Sequence, residues 1–147
     1  FNVTGIDIDQ TKVDAISRGE SYIQDIPTEV LAPLVKSGKV KATSDFSVTS
    51  SLDTLNICVP TPLRKTKDPD MSFIVNACQE LAKHFHAGTL VILESTTYPG
   101  TTDELMLPMF QTVSGPACLG NSRATQAASS IKAAPASLRI AIGVVPA

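Results

Sequence analysis

Short apolar runs and amphipathic stretches alternate along most of this chain. The runs at 54–59 and 90–93 are rich in branched apolar residues and have the length of strands buried on both faces of a parallel sheet. Two further strands are expected at 1–9, which ends in acids, and at 40–43. Between these runs, apolar residues recur at helical spacing. This alternation predicts an α/β fold with a right-handed parallel sheet.

The predicted helices carry start and stop signals. We expect them at 11–18, 29–37, 72–86 and 102–111, with a weak turn or short helix at 45–51. A glycine follows each of the first three as a stop: Gly19, Gly38 and Gly88. Thr28 is the expected N-cap of the second helix, and Thr101 or Thr102 that of the fourth.

The character of the chain changes after residue 112. Residues 114–137 are dominated by Ser, Ala, Gly and Pro and show no clear period, which is typical of a loosely ordered or linker-like segment. We therefore divide the chain into an α/β domain at 1–112 and a divergent, Ala/Ser-rich tail at 113–147. Within the tail, residues 139–145 can form one more strand.

Composition excludes several classes of function. The chain has 147 residues, of which 43% are hydrophobic and 18% charged, and its net charge is −2. This composition is globular, and the lack of a basic face argues against nucleic-acid binding. No apolar run approaches the roughly 18 residues that span a membrane. The three widely spaced cysteines form no CxxC pair, which argues against a zinc or redox site. We expect a cytoplasmic protein without a metal.

Two acids end the first predicted strand. In a dinucleotide-binding fold, an acid at this kind of position accepts hydrogen bonds from the adenosine ribose and disfavours a 2′-phosphate. An acid here can also simply cap the following helix. Both interpretations stay open for Asp7, and capping is favoured for Asp9. Lys12 can reach a cofactor phosphate, although an exposed helical lysine without a function is the commoner case.

Polar residues also follow the two most apolar strands. Thr61 and Thr96 lie where threonine can hydrogen-bond a nicotinamide, a ribose or a water, and they are also ordinary turn residues. Glu94 ends an apolar run, so we expect a buried carboxylate with a partner or a raised pKa. His84 and His86 are two residues apart on a predicted helix, which argues against a shared metal.

Charged and thiol groups elsewhere have plainer interpretations. The basic run Arg64, Lys65 and Lys67 can attract a phosphate, but such a run is usually a solvated loop. Cys58 and Cys78 are expected to be buried, small apolar residues rather than nucleophiles.

Together these stretches resemble the UDP-glucose/GDP-mannose dehydrogenase family of nucleotide-sugar dehydrogenases. The order and spacing of the matching motifs carry the resemblance, which covers about residues 1–112. The motifs are Gly5-Ile6-Asp7-Ile8-Asp9 with Lys12-Val13, Gly19-Glu20-Ser21-Tyr22-Ile23 with Asp25-Ile26-Pro27, Ala42-Thr43-Ser44-Asp45-Phe46, Ile57-Cys58-Val59-Pro60-Thr61-Pro62-Leu63, Lys65-Thr66-Lys67-Asp68-Pro69-Asp70, and Glu94-Ser95-Thr96-Thr97-Tyr98-Pro99-Gly100-Thr101-Thr102.

The resemblance implies a fold, a cofactor and a reaction. It implies a partial, Rossmann-type NAD-binding domain of an enzyme that oxidises the C6 alcohol of a UDP-sugar to a carboxylate. The oxidation takes two hydride transfers to NAD and passes through a thioester on a cysteine. Asp7 and Lys12 match family residues on the adenosine side. Thr61 and Thr96 match residues on the nicotinamide side, and Thr96 is the one candidate for a catalytic role, in handling a water or proton.

The residues of these motifs are most similar to those of family members that act on UDP-N-acetylglucosamine or related hexosamines. UDP-glucose is the main alternative substrate. Such enzymes are homo-oligomers. Oligomerisation is doubtful here, because the helices that mediate it lie beyond the part of the family that this chain resembles.

The departures from the family are as informative. The first family strand and its GxGxxG turn do not precede Phe1, so we expect a sheet without its central strand, between the strands at 1–9 and 54–59. The family's catalytic lysine and cysteine are also absent, and Cys118 does not stand in their context. We therefore expect a truncated or frameshifted fragment, inactive alone. A non-catalytic nucleotide-binding or interaction module and a degenerate product are the alternatives.

Overall fold

The computed structural model describes residues 1–65, 68–86, 88–114 and 139–142. The strands are β1 (Asn2–Ile6), β2 (Val40–Thr43), β3 (Thr54–Ile57), β4 (Leu90–Leu93) and β5 (Arg139–Ile142). The α-helices are α1 (Gln10–Ser17), α2 (Thr28–Lys36), α3 (Ser72–Ala82) and α4 (Leu107–Ser114). A 3-10 helix spans Phe46–Ser51, and a π-helical segment at Thr101–Met106 leads directly into α4.

The strands form a single five-stranded sheet in the order β2-β1-β5-β3-β4. Every pair is parallel, as the alternation of strands and helices predicted. The expectation that the centre of the sheet would be empty is wrong. The last described strand, β5, pairs with β1 on one side and with β3 on the other. The sheet is therefore continuous across the described residues.

The helix boundaries depart from the prediction at several ends. α3 ends at Ala82 instead of His86. Thr28 does not cap α2, because its hydroxyl accepts a hydrogen bond from the Ser21 amide at 3.1 Å and Pro27 stands at the N-cap. Gly100, with φ 88°, stands at the N-cap of the π-helical segment in place of Thr101 or Thr102. The predicted stops Gly19 and Gly38 both have positive φ at the ends of α1 and α2.

The main core lies between one face of the sheet and the pair α3 and α4. Leu55 and Ile57 of β3 are buried there together with Ile74 and Leu81 of α3. The ring of Phe85, three residues after α3, packs against that of Phe110 in α4 at 4.9 Å between centroids. Val59 is also buried, and Val91 and Leu93 of β4 pack against the same cluster, so the core holds the carboxyl ends of β3 and β4 in place.

In the described part of the chain, no helix is both long and apolar enough to cross a membrane.

Candidate functional site

The carboxyl ends of the parallel strands lie along one edge of the sheet and carry the predicted site residues. Asp7 follows β1, Thr61 lies in the loop after β3, and Thr96 lies in the loop after β4. β5 separates β1 from β3. Because neighbouring strands are about 4.8 Å apart, β1, which Asp7 follows, lies about 10 Å from β3 and about 14 Å from β4, the strands that precede the two threonine loops. The edge therefore has an acidic part and a hydroxyl-rich part.

The acidic part consists of Asp7, Asp9 and Lys12. The Lys12 ammonium lies 3.6 Å from Asp7 Oδ2 and 3.9 Å from Asp9 Oδ2. The Asp7 side chain is only 16% exposed, and its Oδ1 accepts a hydrogen bond from the Asp9 amide at 2.9 Å. The structure thus brings Asp7 and Lys12 together. The remaining Asp7 oxygen faces the lysine at a distance that leaves it able to accept a further hydrogen bond.

Asp9 has a different role from Asp7. It stands at the N-cap of α1, and its Oδ1 accepts a hydrogen bond from the Thr11 amide at 2.9 Å. Hydrogen bonds from the Thr11 hydroxyl and amide lower the pKa of the Asp9 carboxyl. The interpretation of Asp9 as a helix cap is confirmed.

The hydroxyl-rich part joins the loops after β3 and β4. The Ser95 hydroxyl accepts a hydrogen bond from the Val59 amide and donates one to the Val59 carbonyl, both at 2.9 Å. Ser95 was not singled out in the sequence, although it is the first hydroxyl after β4. Thr61 is half-buried and Thr96 is exposed. Neither of these two hydroxyls is hydrogen-bonded to another described residue, so both can serve a ligand.

Glu94 is not the buried carboxylate that its apolar strand predicted. It is exposed, and its pKa is lowered by hydrogen bonds from the Asn56 amide and the Cys58 thiol. The Cys58 thiol donates to Glu94 Oε2 at 3.1 Å. Burial, with the Glu94 hydrogen bond and charge, raises the Cys58 pKa to about 11. A thiol with a raised pKa is a poor nucleophile at neutral pH, in keeping with the expected structural role.

The loop between β3 and α3 folds beside this edge. Arg64 forms an ion pair with Asp70 at 2.8 Å and lowers the Asp70 pKa to about 2. The Tyr98 hydroxyl, from the loop after β4, donates to Asp68 Oδ1 at 3.3 Å. Arg64 is therefore engaged with an acid of its own loop. Lys67, which the phosphate hypothesis also included, lies outside the described residues.

The histidines and the second thiol have structural environments. His86 Nε2 lies 3.0 Å from the Leu52 carbonyl oxygen. Within the described ranges, no group of three His, Cys, Asp or Glu residues is placed to hold a metal. Cys78 is fully buried in the core, as expected, and burial raises its pKa to about 12.

A sheet edge with an acid after one strand and hydroxyl-bearing loops after two others is typical of nucleotide-binding α/β folds. A model of the UDP-glucose/GDP-mannose dehydrogenase family, NAD binding domain, matches residues 1–138. The chain belongs to this family.

Relatives in the family are named nucleotide-sugar dehydrogenases. The UDP-N-acetyl-D-mannosamine dehydrogenase of Salmonella typhi is 38% identical over 70% of this chain and 24% of its own length. The UDP-N-acetyl-D-glucosamine 6-dehydrogenase of Pseudomonas aeruginosa is 32% identical over 77% of this chain and 26% of its own length. The chain thus spans about a quarter of the length of these relatives.

Solved structures show the same fold. The crystal structure of a ternary complex of GDP-mannose dehydrogenase from Pseudomonas aeruginosa covers 78% of this chain with a TM-score of 0.71 and 31% identity. This chain corresponds to 27% of that structure. The Rossmann-type α/β fold that the sequence predicted is confirmed.

NAD is the cofactor of the matched domain, and the residues of this chain fit it in part. The half-buried Asp7 carboxylate, whose Oδ2 can accept a hydrogen bond beside Lys12, suits the hydroxyls of the adenosine ribose. The described residues offer fewer suitable groups to the pyrophosphate of NAD. The sequence contains no GxGxxG motif, and α1 presents an acid, Asp9, at its N-cap. A carboxylate there repels an anion from that helix end.

Proposed function

We propose that this chain is the NAD-binding part of an NAD-dependent UDP-sugar 6-dehydrogenase, with UDP-N-acetylglucosamine or UDP-glucose as the substrate of the whole enzyme. The observation that carries the proposal is the placement of Asp7, at the carboxyl end of β1 and beside Lys12, within a family match that covers the domain. NAD, when bound, supplies the acceptor for the hydride that leaves the sugar alcohol.

Asp7 is proposed to recognise the adenosine ribose. Its carboxylate accepts hydrogen bonds from vicinal hydroxyls, and its charge repels the 2′-phosphate that distinguishes NADP from NAD. Lys12, whose ammonium lies 3.6 Å from Asp7 Oδ2, orients the carboxylate. This pair therefore favours NAD over NADP.

Thr61 and Thr96 are proposed to serve the nicotinamide side. Both hydroxyls stand in loops at the carboxyl edge, and the Ser95 hydrogen bonds to Val59 hold these loops together. Thr96 is the more exposed of the two, which suits contact with a water or a proton of the reacting alcohol.

The isolated chain is proposed to be inactive. Its only described cysteines are Cys58, whose pKa is about 11, and the buried Cys78. Neither suits the covalent step that the family resemblance implies. Incubation with NAD and either UDP-sugar should therefore give no rise in NADH absorbance. Turnover above a protein-free blank would refute the inactivity.

Cofactor binding is tested by titrating the full chain with NADH and with NADPH while nicotinamide fluorescence is followed. NADH should bind saturably and more tightly than NADPH. Asp7→Ala should weaken NADH binding about tenfold, since a hydrogen bond to a charged group contributes about 1.5 kcal/mol. The same substitution should leave NADPH binding unchanged or tighter.

Asp25→Ala is the matched control, because Asp25 is an exposed acid in the loop before α2. It removes the same charge at a distance from the strand edge and should bind NADH as the unaltered chain does. Equal affinities in the two variants, or no saturable NADH binding at all, would contradict the proposal.

A further inference from the structure

The sheet consists of two strand pairs with a gap between them, which β5 fills. We call the gap between β1 and β3 the slot. β1 pairs with β2, and β3 pairs with β4, whereas β1 and β3 are joined only through β5. Removing β5 would leave two two-stranded pieces, which are marginal in water. The inner edges of β1 and β3 would then present unpaired amide and carbonyl groups.

The strand that fills this slot is distant in sequence from the strands that form it. Residues 115–138 separate α4 from β5, and the match to the family ends at residue 138. In the order 3-2-1-4-5 of a Rossmann sheet, β5 holds the position of the first strand. The central position is therefore filled by a segment outside the family match.

Specific contacts set the register of β5 in the slot. The Asp53 carboxylate, just before β3, accepts hydrogen bonds from the Arg139 amide at 3.0 Å and from Arg139 Nε at 3.4 Å. The Asp53 amide in turn donates to the Arg139 carbonyl at 3.0 Å. Two residues later, Ala141 is 4% exposed and belongs to the core cluster beneath α3.

These contacts define what the slot accepts. It takes a parallel strand with a basic residue opposite Asp53 and, two positions on, a small apolar residue facing the core. A larger or charged side chain at that second position would meet a packed core. We propose that the slot between β1 and β3 is a strand-binding site, and that the segment around Arg139–Ile142 is its built-in, separable ligand.

Peptide rescue of the full-length chain tests the proposal. Ala141→Asp places a charge in the core and should expel β5, so that amide hydrogens of β1 and β3 exchange faster by at least tenfold. A synthetic peptide of residues 137–147 should fill the slot in trans and restore the slow exchange. The same peptide with Arg139→Glu should restore slow exchange only at an at least tenfold higher concentration, because its glutamate would lie opposite Asp53.

Ala42→Asp is the control variant, since Ala42 lies in the outer strand β2 and not in the slot. Adding the peptide should not change amide-hydrogen exchange in the Ala42→Asp variant. Unaltered protection of β1 and β3 in Ala141→Asp, or failure of the unmodified peptide to restore it, would overturn the proposal.

Cross-linking tests the same site without placing a charge in the core. Thr4 and Ala141 are opposite each other in neighbouring strands, within the distance that a disulfide spans. The double variant Thr4→Cys/Ala141→Cys should form that disulfide, identified by peptide mass spectrometry. Thr4→Cys/Arg139→Cys is two residues out of register and should not.

A mixture of isotopically light and heavy chains shows which chain supplies the strand. The proposal expects light–light and heavy–heavy disulfides only. Mixed disulfides would show that a second copy fills the slot, and absence of the in-register disulfide would show that β5 does not. Either result would refute a built-in ligand.

Discussion

At the carboxyl end of β3, the thiol of Cys58 donates a hydrogen bond to the exposed carboxylate of Glu94. Burial and the neighbouring negative charge both disfavour the thiolate, and they raise the Cys58 pKa from the ordinary 9.0 to about 11. At pH 8 the thiolate fraction is thus about 100-fold lower than that of an ordinary cysteine. Iodoacetamide should modify Cys58 correspondingly slowly, with the rate rising until about pH 11, as followed by mass spectrometry.

Replacing the Glu94 carboxylate separates its contribution to the raised Cys58 pKa from the contribution of burial. Glu94→Gln removes the negative charge but leaves Cys58 in the same half-buried position, so its pKa should fall only part of the way towards 9.0. Alkylation at pH 8 should accelerate several-fold, whereas Glu29→Gln, in α2, should change nothing. An unchanged rate in Glu94→Gln would mean that burial alone accounts for the slow reaction.

Single residues were predictable where the local pattern sufficed. Asp9 precedes a helix and has Thr11 two residues later, a local arrangement that identifies an N-cap. The environment of Glu94 was not predictable. An apolar run does not show on which face the next residue lies. It also does not show that Asn56 of β3 and Cys58, the residue after β3, would donate hydrogen bonds to Glu94. Roles of Asp7, Lys12, Thr61 and Thr96 in cofactor binding stay predictions.

The pairing of α1 with α2 depends on a close approach at Gly19. This residue has φ 78°, and a Cβ atom added to it would lie 3.2 Å from the Ala32 Cα in α2. Gly38 has a similar φ of 74°, but a Cβ atom there would meet nothing within 4 Å. The two glycines therefore differ in packing while sharing a backbone conformation.

Alanine substitutions use that difference. Gly38→Ala should lower the free energy of unfolding by about 1 kcal/mol through backbone strain alone. Gly19→Ala should cost at least about 1 kcal/mol more, because α2 must also move away. Urea unfolding measures both values. If both variants lose the same free energy of unfolding, the displacement of α2 does not destabilise the protein.

Element positions were predictable where apolar runs had sharp limits. β2 and β4 occupy the predicted residues 40–43 and 90–93. Helix ends were less predictable because several hydroxyls compete for each cap. The hydroxyl of Thr28 binds the Ser21 amide, seven residues back along the chain, and no local rule anticipates that contact.

For the whole molecule, the core between the sheet and α3 should carry most of the stability. Leu55 is 1% exposed at the middle of that core, whereas Leu63 is 71% exposed in the loop after β3. Leu55→Ala should lower the free energy of unfolding by about 2–5 kcal/mol, as core truncations do. Leu63→Ala, with the same chemical change, should cost less than about 0.5 kcal/mol. Thermal and urea unfolding check the contrast.

The order of the strands was only partly predictable. Local pattern indicated parallel strands and a possible strand at 139–145, of which Arg139–Ile142 is described. It did not indicate that this strand would enter between β1 and β3. That placement depends on the Arg139–Asp53 contact, which joins residues 86 positions apart, and on the fit of Ala141 in the core. Contacts of this range leave no periodic signal in a sequence.

The late position of the central strand has a consequence for protein synthesis. A ribosome releases β1 to β4 before β5, so the nascent chain passes through a stage in which none of the other described strands pairs with the inner edges of β1 and β3. Exposed strand edges recruit other chains. Slower translation after residue 114 should therefore reduce the soluble yield of this protein in a cell, and chaperones that cover strand edges should restore it.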